Sequence, residues 1–181
     1  MTEKNKFTVR DICSAGIFTA FIAVCAQISI PMPYGVPMTL QTLAVPFAGI
    51  VLGKKRGAAS VLIYILLGAV GLPVFARFSG GPGVLFGPTG GFILSFPVVA
   101  ILVGGGGRRG ALYLALGLAT GAVVNYSCGM FFFAMVLSVE IKTAFAACVL
   151  PFVPTEIIKL SLAYFLGTNI KKALMRSGVI I

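Results

Sequence analysis

The sequence contains no histidine and no tryptophan, and its only acidic residues are Glu3, Asp11, Glu140 and Glu156. That scarcity removes the usual materials for a Ser-His-Asp triad, a carboxylate dyad or a metal-ligand cluster. No G-x-x-x-x-G-K-[ST] segment occurs, so the chain has no recognisable nucleotide-hydrolysing site of its own. Residues 105–110 read GGGRRG and satisfy G-x-G-x-x-G, but a dinucleotide-binding unit needs an acid about 20 positions on, and the next one is Glu140, at the far end of an apolar run. The segment reads instead as a turn with two arginines. Cys13, Cys25, Cys128 and Cys148 show no paired CxxC spacing and read as reduced packing residues, without disulfide or metal.

Charge is scarce as well. Only 10% of the 181 residues are charged while 59% are hydrophobic, and the mean hydropathy is +1.07. The solvent for most of this chain is therefore lipid. The net charge of +10 does not point to nucleic acid, because the basic residues form small clusters between apolar runs instead of one face or stripe. Such clusters report topology. At about 20 apolar residues per span, the length accommodates about six spans with short loops and leaves nothing for a soluble domain. Residues 1–181 are read as a single domain.

The apolar runs predict spans at about 11–30, 38–53, 57–75, 90–104, 110–137 and 143–168. One side then carries Lys4, Lys6, Arg10, Lys54, Lys55, Arg56, Arg108, Arg109, Lys171, Lys172 and Arg176, and the other only Arg77 and Lys142. The positive-inside rule assigns the first side, with both termini, to the cytoplasm. The first run could also begin a signal peptide, but its removal would leave an odd number of spans, so it is retained as a helix. Small residues at spacing four (Ala15, Gly16, Thr19 and Ala20 in the first span, Gly49 with Gly53, Gly117 with Gly121) allow close backbone approach.

Polar residues inside apolar spans are costly, about 2.5 to 3.5 kcal/mol for an ionised group near the bilayer centre, so they face a cavity or a partner. Glu156 and Lys159 are of this kind and share a helix face. Pro151 and Pro154 imply an interruption just before them. Counted from the cytoplasmic anchors at about 1.5 Å per residue, Glu156, Lys159, Asn125 and Gln41 lie about 18 to 24 Å deep, at one level in the outer half of the bilayer. Above that level hangs RFSGGPGVLFGPTGG, residues 77–91, a Gly- and Pro-rich lid candidate carrying apolar side chains. Glu156 with Lys159 could equally be a structural ion pair, Gln41 and Asn125 interhelical hydrogen-bond partners, and Arg77 an interfacial anchor. Their convergence at one depth favours a binding site.

Three stretches add to this reading: PMTLQTLAVPFAGIVLGKKRGAAS at 37–60, YILLGAVGLPVFARFSGGPGVLFGPTGGF at 64–92 and PFVPTEIIKLSLA at 151–163. With the spans around them they resemble the BioY family, the biotin-specific S components of energy-coupling factor (ECF) transporters. The resemblance implies an all-α membrane bundle of six transmembrane helices that binds biotin from outside in the plasma membrane. It also implies an EcfT-like membrane-embedded coupling subunit and two ATPase subunits as partners, with Ala15, Gly16, Thr19 and Ala20 as candidate docking residues. Glu156 stands where the family usually has Asp, Arg77 where Gly is common and Phe92 where Tyr is usual.

On that resemblance, Glu156 is expected to accept from the ureido N–H of biotin, with Lys159 and Asn125 completing its polar shell and Gln41 supporting them. Phe75, Leu85 and Phe86 are expected to cover the apolar ring. The amides near Ser79, Gly80 and Gly81, with Arg77, are expected to receive the valerate, and Thr89 is a further expected substrate-binding residue. No cofactor is expected and no covalent chemistry. The rival readings are a stand-alone secondary transporter in which Glu156 carries a proton, an S component for another vitamin, and a small lipid-directed membrane enzyme.

Overall fold

The computed structural model describes residues 8–32, 35–107 and 109–178. Lys4, Lys6 and Arg108, three of the cations used above for orientation, lie outside that set. In chain order the elements are α1 (Val9–Gln27), β1 (Ser29–Ile30), β2 (Met38–Thr39), α2 (Gln41–Ala69), a 3-10 turn (Ala76–Phe78), α3 (Pro82–Leu85), α4 (Gly90–Gly106), α5 (Ala111–Leu137), α6 (Ile141–Cys148) and α7 (Val153–Arg176).

Helix α1 begins at a capping box. The Thr8 hydroxyl accepts from the Asp11 amide, and the Asp11 carboxylate accepts from the Thr8 amide. Two of the helix's orphan donors are thereby satisfied. Asp11 also pairs with Arg56 at 2.7 Å, which ties the start of α1 to the middle of α2.

Helix α2 is continuous in residue count but not in direction. At Gly53 the backbone turns to φ 77°, ψ 175°, a conformation glycine adopts without steric penalty. The two arms fold back on each other there. Gln41 and Tyr64 are hydrogen-bonded at 2.6 Å, whereas 23 residues of straight helix would separate them by about 35 Å. The reversal needs small residues at the contact: a Cβ on Gly57 would sit 3.0 Å from the Gly49 Cα, and one on Gly49 would sit 2.8 Å from the Ala100 carbonyl oxygen of α4. The sequence-predicted boundary between the second and third spans falls at this reversal.

The arms of α2 pack against α1, α4 and α7, and α4 packs in turn against α5, giving one continuous apolar core that includes Ile22, Val45, Ile50, Val61, Val99 and Val103. A smaller core joins Phe133 of α5 to Ala144 and Cys148 of α6 and to Phe152. The last expected span, 143–168, is not one rod: α6 and α7 meet at a bend of 53° across residues 149–152, where Pro151 and Pro154 interrupt the hydrogen-bond ladder. Among the described residues, α1 and α5 are long and apolar enough to cross a membrane, and α6 with α7 add a third crossing if taken as one bent span. All four cysteines are free.

The small residues of α1 divide between two faces. Ala15 and Thr19 are buried, and the Thr19 hydroxyl donates to the Ala15 and Ser60 carbonyls, so both residues are spent on internal packing with α2. Gly16 and Ala20 are exposed.

Candidate functional site

A cavity of about 450 Å³ lies between the start of α2, the segment after Val74, the α3–α4 connection and the facing sides of α5 and α7. Its size suits a small organic ligand. Phe75, Phe92, Ile93, Phe96 and Phe152 form its apolar walls. Its polar lining residues are a hydrogen-bonded group, Thr39, Gln41, Thr42, Tyr126 and Lys159, and a second set, Arg77, Ser79 and Thr89, from the segments that flank α3.

The centre of the first group is a buried ion pair. Lys159 Nζ lies 2.8 Å from Glu156 Oε2, and each side chain is only 7% exposed. The spacing of three residues on α7 places both groups on one face, and Glu156 falls in the first turn, where the helix dipole favours a carboxylate. Two neutral donors complete the shell of the same oxygen, Thr42 Oγ1 at 2.8 Å and Tyr126 OH at 3.1 Å. Lys159 Nζ donates to Thr42 Oγ1 at 2.5 Å and to the Thr39 carbonyl at 3.4 Å. One hydroxyl thus serves both ions: Thr42 gives its proton to the carboxylate and its lone pair to the ammonium. Such satisfaction is what permits a charge pair to sit away from water.

Lys159 faces the cavity; Glu156 does not. The carboxylate is held behind Thr42 and Tyr126, and its remaining surroundings are a small void shared with Asn125 and an apolar groove of about 380 Å³ between α5, α6 and α7. Asn125 is also off the cavity: its amide nitrogen is used by the Phe92 carbonyl at 2.9 Å and by Ser95 Oγ at 2.7 Å. Gln41 lines the cavity, held from both ends by Tyr64 and by Thr39 Oγ1 at 3.1 Å.

Near Arg77 the structure departs in part from expectation. Phe75 is fully buried, its ring edge-on to Tyr64 at 5.5 Å and seated over Gly68, where any Cβ would collide with it. Arg77, Ser79 and Thr89 line the cavity, but Gly80, Gly81, Leu85 and Phe86 do not. The Gly81 amide is committed to the Gly68 carbonyl at 2.7 Å and the Ser79 amide to the Ala76 carbonyl at 3.3 Å, so neither is free to receive an anion. Leu85 packs into the core, and Phe86 is 73% exposed, pointing away. Arg77 and Phe78 both adopt left-handed backbone, φ 59° and 54°, which is uncommon for non-glycine residues and concentrates where a segment must aim a side chain.

Sequence reasoning missed Thr42, Tyr126 and Thr39 as partners of the ion pair, and Phe92, Phe96 and Phe152 as cavity walls. Thr42 stands one position from Gln41, which offered a signal; Tyr126 stands one position from Asn125 in the same way.

A chamber with one electrically balanced polar wall, aromatic sides and a cation at another edge, set inside an apolar helical bundle, defines a protein that holds a small solute at a membrane. The BioY family model matches residues 1–176. The biotin transporter BioY of Thermotoga maritima is 43% identical over 167 residues, covering 91% of this chain and 97% of that protein. The probable biotin transporter BioY of Pyrococcus horikoshii is 40% identical over 162 residues, covering 90% and 96%. The fold matches the crystal structure of the S-component for biotin from an ECF-type ABC transporter with a TM-score of 0.85 and 25% identity, over 94% of this chain and 95% of that one. The chain belongs to the BioY family, and it is a multi-pass membrane protein.

Proposed function

We propose that this chain is the high-affinity biotin-binding subunit of an ATP-driven ECF importer and binds its vitamin in the 450 Å³ chamber. The observation that carries the reading is the charge layout of that chamber. The Lys159–Glu156 pair is neutral as a unit and borders the chamber beside the Gln41 amide, which matches the uncharged ureido ring. Exposed Arg77, in no ion pair among the described residues, supplies a cation at the other polar group, which matches a carboxylate. Burying an ionised carboxylate costs far more than burying a neutral urea, so the acid belongs at the more exposed Arg77 and Thr89 and the ureido group at Lys159 and Gln41. Phe75, Phe92 and Phe96 would then cover the apolar ring. Glu156 acts through Lys159 and Thr42, holding the ammonium in place.

The chain crosses the plasma membrane six times, with both termini in the cytoplasm. The reversal of α2 at Gly53 supports two crossings within that one element, and the Lys54, Lys55 and Arg56 cluster beside it suits a cytoplasmic turn. Energy comes from two ATPase subunits through a membrane-embedded coupling subunit, since the sequence carries no nucleotide-hydrolysing motif. Docking to that subunit uses exposed Gly16 and Ala20 of α1 rather than buried Ala15 and Thr19.

Calorimetric titration of the purified chain with biotin, thiamine and riboflavin tests the ligand. Saturable heat is expected with biotin alone, and binding of a control vitamin in its place would overturn the assignment. The rival secondary transporter predicts uptake that survives ATP depletion and stops when the proton gradient collapses; the importer reading predicts loss on ATP depletion.

A further inference from the structure

The last residue of α1 reaches across to the strained segment that carries Arg77. Gln27 Oε1 accepts from the Phe78 amide at 2.8 Å. The two N–H of Gln27 Nε2 are shared among the Phe75 carbonyl at 3.1 Å, the Val74 carbonyl at 3.2 Å and the Ala23 carbonyl of its own helix at 3.1 Å. One amide therefore grips the segment on both sides of Arg77 while remaining anchored in α1. The grip falls where it is needed, because two successive non-glycine residues in left-handed backbone do not hold that shape unaided. The segment's own bonds, Phe75 amide to Ser79 carbonyl at 2.9 Å and Ser79 Oγ to Ala76 carbonyl at 2.7 Å, close its base but leave the Phe78 amide to Gln27.

We infer that Gln27 is a positioning residue for ligand specificity: it fixes the left-handed turn that aims Arg77 into the chamber, and so sets the preference for a ligand with an anionic tail. The inference rests on the proposed role of Arg77. Gln27 does not line the chamber, and it links the segment that does directly to the end of α1.

The test compares biotin with biotin amide, which keeps the ring and the chain length but carries no tail charge, on the full-length chain in detergent. Arg77→Ala should reduce the ratio of the two affinities by about tenfold, the loss expected when a charge-assisted hydrogen bond is removed. Gln27→Met, close to glutamine in length but without hydrogen bonds, should reduce the same ratio by about three- to tenfold and should change it by less than about twofold once Arg77 is already alanine. If Arg77→Ala leaves the ratio intact, the carboxylate reading itself is wrong. If Arg77→Ala lowers it and Gln27→Met does not, or if Gln27→Met weakens both ligands equally, only the Gln27 inference falls. Hydrogen exchange on the unsubstituted, ligand-free protein provides a readout that needs no variant: the Phe78 amide should be protected although the residue is 72% exposed, and exchange at an open-loop rate would also overturn the inference.

Discussion

The Glu156–Lys159 pair offers a decisive perturbation because its stability and binding roles separate. Glu156→Gln preserves side-chain shape and leaves an oxygen for Thr42 and Tyr126, but it strips Lys159 of its counter-charge. The ammonium, 7% exposed, then retains only Thr42 Oγ1 and the Thr39 carbonyl. Breaking a buried pair in this way costs about 3 to 5 kcal/mol, which for a chain of this size corresponds to a melting temperature lower by about 6 to 20 °C. Adding Lys159→Met removes the orphaned charge, and replacing both ions with uncharged groups is often close to neutral, so melting should return to within a few degrees of the parent. Biotin binding should not return, because Lys159 is the member of the pair that faces the chamber. The assay is thermal unfolding of ligand-free protein in detergent, paired with calorimetry on both variants. A double variant that binds biotin as tightly as the parent would reduce the pair to a packing device and refute the proposed ureido site.

Tyr126→Phe removes one hydrogen bond to the carboxylate at 3.1 Å while keeping the ring contacts with Phe92 and Phe152, and should weaken biotin binding by about 1 to 2 kcal/mol in a titration. Gly68→Ala places a methyl group 2.1 Å from the Phe75 ring and should lower both the melting temperature and biotin affinity, since overpacking costs about 1 to 3 kcal/mol and Phe75 is a chamber wall. Gly104→Ala sets a Cβ 2.4 Å from the Lys54 backbone nitrogen, against the reversal of α2, and should reduce stability at least as much, because backbone cannot rotate away as a side chain can; an unchanged melting curve would contradict the close approach of α4 to that turn.

Residues that are expensive where they stand were legible in the sequence. Glu156 and Lys159 announced themselves as charges in an apolar run, and Arg77 and Thr89 as members of a Gly- and Pro-rich segment. The break before Pro154 was readable because proline cannot continue a hydrogen-bond ladder, although the expected single span hid a 53° bend. What stayed hidden was pairing over long separations. Thr42 meets Glu156 across 114 residues, and threonine is ordinary in an apolar helix. The direction of a side chain was equally hidden: Asn125 lies on the expected helix, α5, but turns toward Ser95, and Phe86 lies in the expected segment but is exposed. Depth along a helix follows from counting, whereas rotation about its axis depends on neighbours that only the fold supplies.

A single residue, Gly53, joins the two arms of α2, so at that end their backbones cannot part. The arms behave as the legs of tweezers whose joint is fixed, and any splaying grows with distance from it. It is therefore greatest at the tips, where the Gln41 amide grips the Tyr64 phenol and one leg forms part of the chamber wall.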